Sequence, residues 1–262
     1  MADSETILRT RGRSGEVVVR RARGAVELIV NGVFLMDSSR DGESERGLAS
    51  SVLGACRLGE PACLVGGLGF GYTLAEILAV RPQARVTCVE IEPAVVACQR
   101  LVAAPCGIPA GLAEDPRVTI RTGDVLDWLS ATAEHYDAIL LDVDNGPSWL
   151  VRPENGRLYD DRGLWLLARA LRPAGVLGIW SAQQEDDLAD RLARTFGWVR
   201  TVTVPVARGN PDVIYLASGA GLAGAHLAQS GKPGAGRPIG SVVRSEPSAR
   251  MMSSPCRPPK TM

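Results

Sequence analysis

The chain reads as an α/β fold: a doubly wound, mostly parallel seven-stranded sheet, with a small β appendage before it and a polar tail after it. Three observations predict this. Apolar runs recur at residues 63–65, 86–89, 118–120, 138–141 and 176–180. Each has the length of a strand and the continuity of one covered on both faces. Helical stretches fall between them, at 72–80, 93–103, 125–131 and 162–171, and such alternation gives parallel strands joined by right-handed crossovers. After a helix at 185–196, WVRTVTVPV and DVIYLAS are separated only by ARGNP. So short a link implies an antiparallel hairpin at the end of the sheet.

Residues 1–15 are expected to form a flexible N-terminus. From 16 to 58 comes the small β segment with its helix: EVVVR, AVELIV and GVFLMD read as strands, and a helix follows at 44–57. Asn31-Gly32 is a hairpin signal, because both turn positions need a positive φ. The main domain spans 59–218. Within it, Pro93 suits the first turn of a helix, where a missing N–H costs nothing. From 219 to 262 the composition collapses into Gly, Ala, Ser and Pro with scattered Arg and Lys. Such a segment buries too little apolar surface to offset its ordering entropy, so a disordered basic tail is expected.

Composition narrows the function classes. Of 262 residues 45% are hydrophobic but only 5% aromatic, so aliphatic side chains must build the core. No run reaches the roughly 20 apolar residues of a membrane helix, and the N-terminus lacks a signal-peptide stretch. A cytoplasmic protein without membrane partners is the expectation. Six cysteines, none in a CxxC pair, and two histidines give no metal-site spacing. The net charge is zero, yet residues 25–218 hold 17 basic and 25 acidic side chains. That balance disfavours nucleic acid as a partner; it fits a cationic substrate, with a solvated acidic surface the more common explanation.

The segment CLVGGLGFGYTLAEIL places Gly66, Gly67, Gly69 and Gly71 between a strand and a helix. Glycines there allow a sharp turn and close approach of a ligand. The next strand, RVTCVE, ends in Glu90, about twenty residues beyond the last glycine, where an acid meets ribose hydroxyls. VTIRTGDVLDWL puts Asp124 after the third strand, and YDAILLDVDNGP puts Asp142 at the end of the fourth. Ligands of open α/β sheets bind outside the carboxyl ends of the strands, so Glu90, Asp124 and Asp142 converge on one rim. A nicotinamide dehydrogenase would continue into a second βαβ half, which the closing hairpin argues against.

From LVGGLGFGYTLAE, VTCVEIEPAVV, VTIRTGD, YDAILLDVDNGP and ALRPAGVLGIWS, in that order and spacing, the chain resembles the spermidine/spermine synthase family of class I AdoMet-fold transferases between about residues 26 and 218. The resemblance implies that Glu90 holds the ribose hydroxyls and that Gly123-Asp124 sits at the adenine amino group. It implies that Asp142 starts the active-site loop, and that Gly67, Gly69 and Gly71 lie against the aminopropyl or amino-acid arm. AdoMet or decarboxylated AdoMet is the implied co-substrate, with no metal. The implied partners are a small-molecule acceptor, a polyamine among the candidates, and a second copy of the chain in a homodimer formed partly through the N-terminal strands.

The departures bear on substrate. The family's glycine loop carries an Asp for the arm's ammonium where Phe70 stands here. Its second loop Asp, which helps deprotonate the attacking amine, is replaced by Asn145, and RDGESERGLAS stands in place of a Tyr-His-Glu segment. A phenyl ring supplies no charge-assisted hydrogen bond, and an amide takes up no proton. Aminopropyl and methyl transfer therefore both stay open, and so does a non-catalytic AdoMet-fold binding module. Asp142 and Asp144 are the candidates to orient or deprotonate the acceptor; for Asp144 the competing role is capping the turn before Asn145-Gly146-Pro147. Trp149, Tyr159 and Trp165 are candidate walls for a cationic acceptor, with a core position the alternative for Trp165. Trp180 has no assigned role, and His135 is expected at an exposed junction.

Overall fold

A computed structural model describes residues 4–206 and 210–220. Two sheets form. The first is a four-stranded antiparallel meander of β1 (Glu5–Gly12), β2 (Gly15–Ala22), β3 (Ala25–Val30) and β4 (Val33–Asp37). The expected hairpin turn is present, with Asn31 and Gly32 both at positive φ. Residues 5–12, expected within a flexible terminus, instead make a full strand. Its register with β2 is held across the pair by Arg9–Glu16 at 2.8 Å and Arg21–Glu5 at 3.4 Å, and Ile7 and Leu8 pack against the core.

The second sheet holds β5 (Ala62–Gly66), β6 (Arg85–Glu90), β7 (Val118–Thr122), β8 (Tyr136–Leu141), β9 (Leu171–Ser181), β10 (Phe196–Val204) and β11 (Asp212–Ala220). Its order is β10-β11-β9-β8-β5-β6-β7. The five strands from β7 to β9 are parallel, while β11 runs antiparallel to β9 and β10 antiparallel to β11. The chain leaves β5 toward β6 and returns with β8 on the other side. The carboxyl ends of β5 and β8 thus flank the switch point where such sheets bind ligands. Strand β11 extends two residues beyond the expected end of the main domain at 218. The expected tail, from 221 onward, lies outside the described residues.

Among the described residues six α-helices cover the two faces: α1 (Glu43–Ala55), α2 (Tyr72–Val80) and α3 (Pro93–Val102) on one, and α4 (Val125–Ala131), α5 (Asp161–Ala170) and α6 (Asp186–Thr195) on the other. The cores are aliphatic, as the composition demands. Val17, Val19, Val26, Leu28 and Val30 of the small sheet share the first core with α1 to α3. Helix α1, grouped with the β appendage in the sequence, thus belongs to the main sheet and packs across β9. It lies so close that a Cβ on Gly178 would come within 2.2 Å of Val52 and 3.0 Å of Leu48. Gly178→Val should overpack this contact and lower stability by about 1–3 kcal/mol, read as a reduced urea midpoint at unchanged m-value.

Candidate active site

The site begins with what ends β5. Beyond Gly66 the chain turns through Gly67, whose φ is +91°; a Cβ there would sit 1.9 Å from the Asp142 carbonyl oxygen. Only glycine lets this loop pass beneath the end of β8. The turn points the Leu68 N–H at Glu90, and it donates to Oε2 at 2.7 Å. The Glu92 N–H donates to Oε1 at 2.8 Å. Burial raises the pKa of Glu90, and these two backbone donors oppose the rise. Each carboxylate oxygen has a further lone pair to offer, which suits two neighbouring hydroxyls.

Asp142 is also enclosed. Thr73 Oγ1, in the first turn of α2, donates to its Oδ2 at 2.7 Å. Burial pushes the carboxyl up to about 6 against that hydrogen bond. Asp124 caps α4 by accepting the Leu126 N–H at 2.8 Å and takes Arg157 Nη2 on its other oxygen at 3.2 Å. The Gly123 N–H donates to the Glu90 carbonyl at 2.9 Å, so the ends of β6 and β7 are stitched together. Glu90, Gly123, Asp124 and Asp142 all line one cavity of about 380 Å³, together with Gly67 and Gly69.

Other expectations land elsewhere. Gly71 forms the N-cap of α2 and faces Leu112 and Gln99, away from the cavity wall. Asp144 reaches the cavity, but its Oδ1 accepts the Val151 N–H and its Oδ2 the Asn155 Nδ2, both at 2.9 Å. It therefore ties together the loop from 144 to 155, and its bonds go to Val151 and Asn155, not to the turn at 145–147 that it was expected to cap. Phe70 is fully enclosed and meets Tyr72 edge to face, with ring centroids 6.3 Å apart. Although buried, Phe70 lines the same cavity, so the position expected to hold the arm's ammonium presents a phenyl ring to it. Tyr159 is a core residue, whereas Trp149 and Trp165 are exposed, and none of the three lines the cavity. Trp165 carries Arg169 over its ring instead of joining the core.

The cavity contains residues that strand-end reasoning does not reach. Helix α1 starts at Gly42 in the left-handed conformation (φ 64°), and a Cβ there would collide with the Tyr72 ring at 2.1 Å. This contact seats the first turn of α1, with Ser44 and Glu45, at the cavity. Ser44 Oγ donates to Asp212 at the start of β11. Burial, then the charge of Asp142, push the Glu45 carboxyl up to about 7. Acids are common in the first turn of any helix because the macrodipole favours them there, so DGESER alone carries no such message. On the opposite wall the β1–β2 turn is held by Glu92, which accepts the Arg13 and Ser14 N–H groups at 3.0 Å each. Ser14 of that turn and Met36 of β4 line the cavity, and the Met36 sulfur would lie 2.9 Å from a Cβ on Gly69.

No family model matches the chain. Curated relatives do. It is 31% identical over 165 residues to the polyamine aminopropyltransferase of Mycobacterium tuberculosis, a match covering 62% of this chain and 30% of that protein. It is 30% identical over 119 residues to polyamine aminopropyltransferase 1 of Streptomyces coelicolor, covering 45% and 22%. The matches thus span less than a third of those relatives' length. Among solved structures, a spermidine synthase in complex with the transition-state analogue AdoDATO superposes with a TM-score of 0.68 at 17% identity, covering 82% of this chain and 73% of that one. Human methyltransferase-like protein 13 in complex with SAH gives 0.54 at 18%, covering 67% and 82%.

Two measurements check this geometry. Glu92→Ala should release the β1–β2 turn and cost about 1–3 kcal/mol of stability, since two donors lose a buried acceptor; chemical denaturation reads it. Glu45 and Asp142 have folded-state values above their ordinary 4.5 and 3.8. Their contribution is complete below the unfolded values and is lost as pH rises through about 6 and 7. Thermal stability should therefore fall across that window, and Glu45→Gln should flatten the fall. The chain is similar in sequence to polyamine aminopropyltransferases over part of their length and carries the fold of the spermidine synthase and the methyltransferase-like protein it superposes on.

Proposed function

We propose that the chain transfers an aminopropyl group from decarboxylated AdoMet to a polyamine-type amine. The observation that carries this reading is the charge of the cavity: among the described residues nine carboxylates line it against two guanidiniums, Arg40 and Arg152. Buried carboxylates without cations cost free energy, and the raised values of Glu45, Glu90 and Asp142 express that cost. A cationic ligand relieves it. Decarboxylated AdoMet has lost the one anionic group of AdoMet and suits such a lining best. The similarity to polyamine aminopropyltransferases points the same way.

In this reading Glu90 accepts the two ribose hydroxyls, and the adenine lies by Gly123 and Asp124. The arm runs over the turn at Gly67 and Gly69 toward Asp142. Displacement at carbon next to a sulfonium needs alignment and exclusion of water, because the leaving group is already activated. Enclosure of Phe70 where relatives of this type are expected to carry an acid favours a second reading, methyl transfer from AdoMet itself. Incubation with each co-substrate and a panel of amines, followed by separation of products, decides between them. Methylthioadenosine formed from decarboxylated AdoMet supports the proposal. S-adenosylhomocysteine formed from AdoMet, with no methylthioadenosine, would refute it.

A further inference from the structure

One end of the cavity is built by elements outside the strand-end motifs. The first turn of α1 brings Glu45 and Ser44, the start of β11 brings Asp212, and the penultimate residue of β9, Trp180, lines the same cavity. Asp142 at the end of β8 joins them and is close enough to raise Glu45 through its charge. The Trp180 indole Nε1 is enclosed and has no hydrogen-bond partner among the described residues. Asp212 is only 8% exposed, and the hydroxyl of Ser44 fixes it. No Lys or Arg among the described residues makes an ion pair with Glu45, Asp142 or Asp212. Among the described residues Arg40 is the cation whose charge reaches Glu45, without pairing with it, so three carboxylates beside an aromatic side chain form a box that suits an alkylammonium. Asn145, which also lines the cavity, contributes no proton acceptor.

We infer that Glu45 takes the proton from the attacking amine, and that Asp212, held by Ser44 beside Trp180, anchors a second ammonium of the same acceptor. The acceptor is then a diamine or longer polyamine. This assignment rests on the transferase reading above and deepens it. The step balances. The ammonium gives one proton to a Glu45 Oε, exposing the nitrogen lone pair. The N–C bond forms as the C–S bond breaks, its electron pair going to sulfur, which leaves a neutral thioether and a secondary ammonium. Residue 45 lies within the segment that replaces the Tyr-His-Glu pattern, so the stretch that departs from the resemblance supplies the base.

The charged and titratable groups facing Glu45 are Asp142 from β8, Asp212 from β11, Tyr72 from α2 and Arg40 from the segment before α1. The two Asp neighbours and burial raise it and Arg40 opposes them, placing its titration at about 7, where a general base works best. Because the base acts when ionised, kcat/KM should rise with pH through that value.

The test uses the full chain, methylthioadenosine and 1,4-diaminobutane as binding probes, and decarboxylated AdoMet for turnover. Glu45→Gln should bind methylthioadenosine as the unaltered chain does, which shows an intact fold. It should weaken the diamine by about tenfold, lower kcat/KM by about 10²-fold or more, and lose the limb near pH 7. Asp212→Asn should raise KM for the diamine more than it lowers kcat. Equal diamine affinity and an unchanged pH limb in Glu45→Gln overturn the assignment, and so does absence of diamine binding by the unaltered chain. Diamine binding that survives while methylthioadenosine binding is absent upholds this subsite and overturns the adenosyl reading instead.

Discussion

The site depends on how a single buried carboxylate is held. Glu90 ends the strand beside β5, and the two backbone N–H groups that grip it come from opposite directions: Leu68 from the glycine loop and Glu92 from the approach to α3. Without the positive φ at Gly67 the loop could not present the Leu68 donor, and half of the backbone compensation for burying Glu90 would be lost. The geometry of the loop and the charge of the site are thus one constraint. Gly123, bonded to the carbonyl of the same residue, extends it to the adjoining strand.

Around this centre the protein gathers negative charge from distant parts of the chain. Asp142 comes from the neighbouring parallel strand, Asp212 from the antiparallel strand inserted beyond β9, and Glu45 from a helix that precedes the sheet altogether. Each is enclosed by apolar packing that also stabilises the fold. The electrostatic cost of burying these carboxylates is therefore built into the native state. In the proposed reading, such an arrangement makes ligand charge, more than shape, the selective property.

Much of this was legible in the sequence, for physical reasons. Strand–helix alternation stands out because parallel strands are apolar on both faces, and Glu90, Asp124 and Asp142 stand out because they follow such runs. Strand β1 was not legible: ETILRTRG has charges on a half-exposed edge and becomes a strand through cross-strand ion pairs and the Glu92 anchor. Glu45 and Asp212 escaped notice because their burial comes from the seating of α1 on Tyr72 and from the insertion of β11, neither a local property. Asp144 and Gly71 show the converse. Each occupies a motif position, but hydrogen bonding inside the loop and packing against Gln99 claim them for structure.

The reading of Glu90 as the group that receives a sugar diol can be tested in isolation from turnover. Isothermal titration would compare methylthioadenosine with its 2′-deoxy analogue on the unaltered chain and on Glu90→Ala. The account predicts that removing the hydroxyl weakens binding to the unaltered chain by about tenfold and makes no difference to Glu90→Ala. The same penalty in both proteins would contradict it.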